Sequence, residues 1–307
     1  MARKQPTKRI DGFLLVDKPE GVSSHDVVNM VRRATGEKQV GHAGTLDPFA
    51  TGLLVILLGR STRLAQYVRD EPKVYEATVR FGTETDTEDL GGTVVREAQR
   101  PTRAALLDAA PRLTGQIEQV PPAFSAKRVG GKRAYEAARE GLAVELKPVT
   151  VTVHGIALGD FSEEGGRVSS CTMRVECGGG TYVRSLARDL ARAAGSAAHL
   201  TALRRIRCGE FDLTHSVPVA PRGSVTNEFR VAPVLGALAG YPVQDVSGDE
   251  AAKLARGIDI EARVDGDYAA LVDPAVADPA TALVAFGARR PSERGVRWQP
   301  RVVFRDP

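Results

Sequence analysis

Hydrophobic and polar positions near the amino terminus predict a strand, a turn and a helix in succession. Residues 12–17 form a short apolar run that ends in charge, which is typical of a strand. Apolar residues then recur at helical spacing over 24–35, where Ser23 or Ser24 can cap the start and Gly36 can cap the end. This stretch therefore predicts one amphipathic helix behind the first strand.

The next stretch contains the longest apolar run of the chain. Residues 37–51 show no periodicity and predict an ordered loop, whereas the continuous apolar run at 52–58 predicts a buried strand. A helix is expected from about Ser61 through Asp70. Strict alternation over 75–81 then predicts a half-buried strand.

The rest of the main body mixes strands and helices in no fixed alternation. The predicted elements are a helix over 102–113 capped by Thr102, strands within 148–158 and 168–177, a helix after the triglycine at 178–180, and a strand over 199–211. Because a strict strand–helix–strand repeat is missing, the pattern favours the α+β fold class.

Shifts in composition divide the chain into three predicted regions. Residues 1–10 form a basic arm, residues 11–240 the main domain, and residues 241–307 a small domain whose short apolar segments resemble the strands of a barrel. Nine acidic residues lie within 245–278, and six arginines lie within 289–305. The small domain therefore carries separated acidic and basic stretches.

Composition narrows the class of protein. The chain has 307 residues, of which 42% are hydrophobic and 26% are charged, so a globular protein with a real core is expected. Its net charge of +4 is compatible with a polyanionic partner. The apolar run at 52–59 is far shorter than a membrane span, and nothing at the amino terminus directs export, so we expect a cytoplasmic protein without membrane attachment.

Cysteine and histidine usage predicts neither a disulfide framework nor a metal site. The three cysteines, at 171, 177 and 208, are odd in number and lack the spacing of a zinc motif. The five histidines include no pair spaced for one helix face. Reduced thiols packed as small apolar groups are the expected state.

The glycine-rich segment 41–52 is the first candidate for chemistry. Its three glycines allow tight turns and close approach of a ligand to the backbone. Asp47 precedes Pro48, which favours an extended backbone at Asp47 and can project its carboxylate from the loop. This carboxylate could be a nucleophile, a general base or an electrostatic stabiliser, or it could cap a turn.

The triglycine at 178–180 and the arginines that follow it are the second candidate. Exposed backbone N–H groups at a helix start suit an anion, and Arg184 in the first turns could form a bidentate pair with a carboxylate or remain a solvated surface residue. Six arginines within 184–207 suggest either a phosphate-binding face or a salt-bridged surface. Tyr75 could pack in the core or stack on a base.

Five segments occur in the order found in one known family: GFLLVDKPEGVSSHDVV, GHAGTLDPFATGLLVILLGRSTRLAQYV, KVYEATVRFGTETDTED, GGGTYVRSLARDL and HLTALRRIRCGEF. Through them the chain resembles the TruB family of bacterial tRNA pseudouridine synthases over residues 10–212. Residues 241–307 resemble, more weakly, the PUA RNA-binding domain. The resemblance implies a catalytic domain built on a mixed, largely antiparallel sheet, followed by a small barrel-like domain.

The resemblance also implies roles for individual residues. Asp47 matches the catalytic aspartate of the family, Tyr75 the tyrosine that contacts the target base, and Arg184 the arginine that pairs with the aspartate. Three more positions match residues that contact or replace the target nucleotide: His42, Tyr182 and Leu203. Further basic residues are expected to bind RNA: Lys127, Arg128, Arg204 and Arg205.

The implied reaction is the isomerisation of uridine to pseudouridine at position 55 in the T-loop of tRNA. No redox change or net hydrolysis occurs, so neither cofactor nor metal is expected. The uridine must be flipped out of the folded loop, at a cost that basic surface helps to offset. Asp47 could attack C1′ or the base, or abstract the 2′ proton, and the sequence leaves these routes open.

Partner expectations follow from the same resemblance. The T-arm of tRNA is the expected partner, bound by a monomer that has no obligate protein partner. In the segment 121–141 a Gly-Gly pair is flanked by two basic residues on each side, and we expect this segment to be a mobile clamp over the RNA.

There are three alternatives to the interpretation as a synthase that acts without partner proteins. A non-catalytic tRNA-binding module or folding chaperone would not need Asp47. An RNA-guided synthase would need partner proteins. A glycosidase would need a second carboxylate, for which Asp86 or Asp89 are the available candidates.

Overall fold

The computed structural model describes residues 9–124, 128–129, 132–133, 146–219, 230–293 and 295–306. The chain forms two compact units. Unit 1 comprises Met1–Pro48, Gly52–Asp70 and Glu210–Pro307, and unit 2 comprises Phe49–Thr51 and Glu71–Gly209. Unit 1 is therefore assembled from both ends of the chain.

In the first half of the chain, strands alternate with a few short helices. The strands and helices are β1 (Gly12–Lys18), α1 (Ser24–Thr35), β2 (Val40–Ala43), β3 (Thr51–Leu58), β4 (Lys73–Phe81), β5 (Thr83–Thr85), β6 (Val94–Glu97), α2 (Arg103–Ala109) and β7 (Gly115–Gln119). Turns of 3₁₀ helix lie at Gly59–Leu64 and Ala110–Leu113.

The second half contains the longer strands. Its elements up to residue 218 are β8 (Arg128–Val129), β9 (Lys132–Arg133), β10 (Val149–Glu164), β11 (Arg167–Cys177), α3 (Val183–Ala193), β12 (Ala198–Cys208), β13 (Phe211–Asp212) and β14 (Val217–Pro218). The carboxyl-terminal elements are β15 (Val243–Asp245), α4 (Gly248–Ala255), β16 (Ile260–Glu261), β17 (Tyr268–Val272), β18 (Leu283–Ser292) and β19 (Gly295–Val303). Short 3₁₀ turns lie at Leu213–His215 and Val234–Leu238.

In unit 1, the amino-terminal strands form a ladder in the order β14-β1-β3, and β2 pairs with the carboxyl-terminal part of β3. α1 follows β1 and begins with a capping box in which Ser23 and Asp26 satisfy each other's backbone donors. Its end is fixed by Gly36, whose φ of 73° is left-handed and favours glycine. Both caps agree with the sequence-based prediction.

A second sheet in unit 1 contains the carboxyl-terminal strands in the order β15-β17-β18-β19-β16. One of its faces buries Trp298, whose indole Nε1 donates to Oε1 of Gln244 at 2.8 Å. A second cluster packs Phe286 and Val302 with Leu64 and with residues of the 234–238 turn. The sheet therefore shares a core with segments far from it in sequence.

The acidic and basic stretches of the carboxyl-terminal region neutralise each other. Arginines there form ion pairs with the nearby carboxylates: Arg263–Glu250 at 2.6 Å, Arg297–Asp259 at 3.1 Å, Arg305–Asp273 at 2.6 Å and Arg289–Asp265 at 3.6 Å. Arg290 and Arg301 are exposed. Three of the six arginines of 289–305 are thus paired with carboxylates of the 245–278 stretch.

Unit 2 is centred on an antiparallel sheet in the order β12-β4-β11-β10-β7. The helix α3 packs against β12 and β4. The buried positions of β4 alternate, with Tyr75, Ala77 and Val79 inside and Glu76 exposed, as expected for a strand with one face in the core. Ladders in both units are mostly antiparallel, which confirms the α+β class and the mixed sheet.

Two element predictions are wrong. The segment predicted as a loop at 37–51 contains β2, which pairs with β3 although Gly41 and Gly44 interrupt its apolar pattern. The helix predicted from Ser61 through Asp70 is a 3₁₀ turn at Gly59–Leu64 followed by turns. Leu64 and Tyr67 pack against the carboxyl-terminal sheet, so tertiary contacts override the helical pattern there.

The three cysteines are buried and free, as predicted. Within the described ranges, no helix is long and apolar enough to span a membrane.

Candidate active site

Asp47 lies in the turn between β2 and β3 and is half-buried. The residue after it is held by two donors, because the carbonyl oxygen of Pro48 accepts from Gly21 N at 2.9 Å and from Lys18 Nζ at 3.2 Å. Lys18 is fully buried and also donates to the carbonyl oxygen of Val22 at 2.8 Å. The turn that bears Asp47 is therefore fixed from the β1–α1 connection.

His42 lies in β2, five residues before Asp47. It is half-buried and stands opposite Ile56 of β3 in the strand register. The strand thus places His42 and Asp47 in one short segment of unit 1. The predicted role of His42 in replacing the flipped nucleotide stays a prediction.

Tyr75, Leu203 and Arg205 lie on one face of the unit 2 sheet. Arg205 of β12 is directly opposite Tyr75 of β4, and Leu203 is opposite Ala77, so these four side chains point to the same side. Tyr75 is 8% exposed and Arg205 is 1% exposed. The guanidinium of Arg205 hydrogen-bonds the Tyr75 hydroxyl. Arg205 thus belongs to the buried surroundings of Tyr75 and is not part of an exposed phosphate-binding face.

Burial raises the pKa of Tyr75 to about 12, against the opposing influence of the Arg205 guanidinium. The neutral phenol is therefore favoured in the folded protein. The contribution of this pKa difference to the free energy of unfolding is present below pH 10 and is lost as the pH rises toward 12. We expect Tyr75→Phe to remove, from the titration followed by tyrosinate absorbance, the ionisation of one tyrosine near pH 12. A difference titration centred near pH 10 would contradict the buried phenol.

The amino terminus of α3 is held by a buried glutamine. Tyr182 is the capping residue of α3, and its side chain makes no capping hydrogen bond. Gln119 is fully buried at the end of β7 and bonds to both backbone groups of Tyr182. Its Nε2 donates to the Tyr182 carbonyl oxygen at 3.1 Å, and its Oε1 accepts from Tyr182 N at 2.9 Å. No local pattern marks this contact, because it joins residues 63 positions apart.

We expect Gln119→Leu to lower the free energy of unfolding by about 1–3 kcal/mol, because the Tyr182 amide loses its acceptor while packing volume is kept. The Tyr182 carbonyl oxygen loses one of two donors and keeps the hydrogen bond from Leu186 N at 3.0 Å. Urea unfolding of the variant measures this loss. Gln116→Leu on the same strand is the matched control, since Gln116 is exposed. Equal effects of the two substitutions would show that the hydrogen bonds between Gln119 and the Tyr182 backbone contribute nothing to stability.

Arg184 lies in the first turn of α3 and is 4% exposed. Its Nη1 donates to the Thr87 carbonyl oxygen at 2.7 Å and lies 3.5 Å from Oδ2 of Asp89, and its Nη2 donates to the Phe124 carbonyl oxygen at 3.0 Å. Arg184 is therefore an oriented, buried guanidinium and not a solvated surface residue. Its pairing with Asp47 stays a prediction.

Three arginines one helical turn apart on α3 face three carboxylates of the 84–89 segment. The pairs are Arg184 with Asp89, Arg188 with Glu88, and Arg192 with Glu84. Burial raises the pKa of the Glu88 carboxyl, although Arg188 and a hydrogen bond from Ser185 oppose the shift. These three arginines neutralise acids within the protein, which favours the salt-bridged alternative over a phosphate-binding face for them.

Of the other residues predicted to bind RNA, the structure describes the contacts of Arg204 but not those of Lys127 or Arg128. Arg204 is half-buried on the opposite face of β12, where its Nη1 donates to the Thr51 hydroxyl at 3.4 Å. Lys127 lies outside the described residues. Arg128 is described only as part of the short hairpin of β8 and β9. Their contacts with RNA, and the mobility expected of the segment 121–141, stay predictions.

An internal carboxylate lies against the triglycine. A Cβ atom built on Gly179 would come within 2.2 Å of Glu71 Oε1, and one on Gly178 within 3.4 Å of Oε2. The space beside these two glycines is thus occupied by Glu71. A carboxylate of the protein therefore lies beside the turn that precedes α3.

Comparison with known proteins identifies the family. A family model described as TruB family pseudouridylate synthase (N terminal domain) matches residues 32–183. Proteins named tRNA pseudouridine synthase B are similar over most of the chain. The one from Thermobifida fusca is 46% identical, over 80% of this chain and 85% of its own length. The one from an Arthrobacter species is 40% identical, over 91% of each chain.

Solved structures show the same fold at low sequence identity. An H/ACA RNP bound to a substrate RNA containing 2′-deoxyuridine matches with a TM-score of 0.67 and 20% identity, over 96% of this chain and 85% of that chain. An archaeal box H/ACA sRNP Nop10-Cbf5 complex matches with a TM-score of 0.66 and 21% identity, over 96% and 86%. These structures show the fold, and the relatives at 40–46% identity, together with the family model, show that the chain belongs to the TruB family of pseudouridylate synthases.

Proposed function

We propose that the protein isomerises uridine to pseudouridine at position 55, in the T-loop of tRNA. The observation that carries this proposal is the similarity to proteins named tRNA pseudouridine synthase B over 85% or more of their length. The family model, which matches residues 32–183, spans the segment around Asp47. The non-catalytic binding module gives no reason for an aspartate held by a fixed turn, and is not favoured.

In the proposed reaction, the N1–C1′ bond of uridine breaks, the base turns, and a C5–C1′ bond forms. The proton on C5 is lost to solvent and N1 gains a proton, so atoms and charge balance without a cofactor. Asp47 supplies the carboxylate that acts on the nucleoside, and Tyr75 and Leu203 form apolar surroundings for the flipped base. Exclusion of water from such a site keeps the detached base from being lost.

Arg184 and Tyr182 are proposed to complete the site from α3. The bonds to Thr87, Phe124 and Asp89 fix the orientation of the Arg184 guanidinium, and Gln119 fixes the backbone of Tyr182. A positively charged, oriented group of this kind can hold a carboxylate ionised and in place.

The proposed partner is the T-arm of tRNA, bound by a monomer in the cytoplasm without an obligate protein partner. Residues 11–240 are proposed as the catalytic domain and 241–307 as a PUA-like RNA-binding domain. Arg290 and Arg301 are exposed there and are available for phosphate contacts. Lys127, Arg128 and Arg204 are proposed to add to RNA binding.

The test is tritium release from C5-labelled uridine in a T-arm RNA, with a second RNA in which cytidine replaces the target uridine. We expect release from the first RNA alone, by the isolated protein. Tight binding without release would contradict the proposed activity and favour a binding module. Release only after a guide RNA and partner proteins are added would favour an RNA-guided enzyme.

A further inference from the structure

Ser24 lies in α1 but bonds to the backbone beside Asp47. It is the first residue of α1 and is 2% exposed. Its hydroxyl donates to the Leu46 carbonyl oxygen at 3.1 Å and accepts from Leu46 N at 2.9 Å. One side chain thus satisfies both backbone groups of the residue that precedes Asp47, 22 positions away in sequence.

The backbone is fixed on both sides of Asp47 by different parts of one connection. Ser24 holds Leu46, and Gly21 and Lys18 hold the carbonyl oxygen of Pro48. Leu46 is itself 3% exposed, so its N–H and C=O have little access to water if Ser24 is lost. The Asp47 carboxylate is therefore carried by a turn whose two flanks are each tied to the segment 18–24.

We propose that Ser24 is a positioning residue for Asp47, which acts through the Leu46 backbone and does not touch substrate. The proposal rests on the proposed function in that Asp47 is taken as the catalytic carboxylate. A catalytic group must be held within about 0.5 Å of its productive position, and a displacement near 1 Å can cost on the order of 100-fold in rate. The Ser24 hydroxyl is the contact that sets this position on the amino-terminal side.

The neighbouring residue offers a matched control. Ser23 caps the same helix through its own hydroxyl, which accepts from Asp26 N at 3.1 Å. Ser23→Ala removes a hydroxyl from the adjacent position and weakens α1, but leaves both bonds between Ser24 and Leu46. The pair of variants therefore separates loss of helix stability from loss of the Asp47 position.

We expect Ser24→Ala to lower kcat for tritium release by roughly 10- to 100-fold, with KM and tRNA affinity unchanged. Ser23→Ala is expected to keep kcat within about twofold of the wild-type value. Ser24→Cys is the second variant, to be used if Ser24→Ala fails to fold. Cysteine has nearly the volume of serine but is a weaker donor and acceptor, so we expect an intermediate kcat. An unchanged kcat in the Ser24 variants, or an equal loss in Ser23→Ala, would overturn the proposal.

A second measurement does not depend on activity. Because Leu46 N donates to the Ser24 hydroxyl, its amide hydrogen should exchange faster in Ser24→Ala and at the wild-type rate in Ser23→Ala. If the wild-type protein releases no tritium, the proposed function fails, and the exchange rates still decide whether Ser24 holds this turn. Unchanged exchange of Leu46 in Ser24→Ala would overturn the positioning role.

Discussion

Asp47→Asn is expected to lower the rate of pseudouridine formation by about 10⁴-fold or more, the scale of loss when an essential catalytic group is removed. The amide has the size of the carboxylate but carries no charge and is neither a nucleophile nor a base. The hydrogen bonds to Leu46 and Pro48 go to their backbone atoms, so the substitution leaves these bonds in place. Single-turnover tritium release from T-arm RNA measures the loss.

Binding separates the chemical role of Asp47 from a role in RNA recognition. We expect Asp47→Asn to bind tRNA at least as well as the wild-type protein, since one negative charge near a polyanion has been removed. Asp108→Asn is the matched control, because Asp108 is exposed on α2 and should keep full activity. Activity of Asp47→Asn within tenfold of the wild-type rate would show that another group carries the chemistry.

Arg188→Met is expected to lower the free energy of unfolding by about 3–5 kcal/mol, because it leaves the buried Glu88 carboxylate without its cationic partner. The substitution also removes the bond from Arg188 Nη2 to the Val120 carbonyl oxygen at 3.0 Å. Urea unfolding at neutral pH measures the loss. Arg174→Met is the control, since the Arg174–Glu76 pair is about half exposed on both sides and should contribute no more than about 1 kcal/mol.

The pH dependence tests the cause of that loss. The pKa of Glu88 is already raised by burial, and removal of Arg188 raises it further. A carboxyl whose folded-state pKa lies above its unfolded value adds stability when protonated, and that stability is lost as the pH rises through the folded pKa. The destabilisation by Arg188→Met should therefore shrink as the pH falls toward 4.5. A destabilisation that stays constant with pH would point to lost packing instead of an unpaired charge.

Segments with strong local signals were predictable from the sequence. The caps at Ser23 and Gly36 define α1, and the apolar run at 52–58 defines β3. The signal was also present for α4, where Ser247 and Glu250 form a capping box, although no helix was predicted there. The candidate carboxylate at Asp47 was found because its motif is contiguous.

What the sequence could not show depends on contacts between distant residues. The arginines of α3 look like a basic surface in the linear chain, but their carboxylate partners lie about a hundred positions upstream in the 84–89 segment. Gln119 and Ser24 carry no local pattern that marks them as supports of Tyr182 and Leu46. The role of a run of charged residues, or of a single polar residue, can be assigned only when the fold shows which groups they bond.

The discontinuous make-up of unit 1 has a consequence for synthesis on the ribosome. Apart from Phe49–Thr51, unit 2 is one uninterrupted stretch, Glu71–Gly209, and it has fully emerged while much of unit 1 is still untranslated. The cluster that packs Leu64 against Phe286, Val302 and Phe304 cannot close until residue 304 is made. We therefore expect the nascent chain to complete unit 2 before unit 1, so that a ribosome stalled before residue 286 would leave the Leu64 surface uncovered.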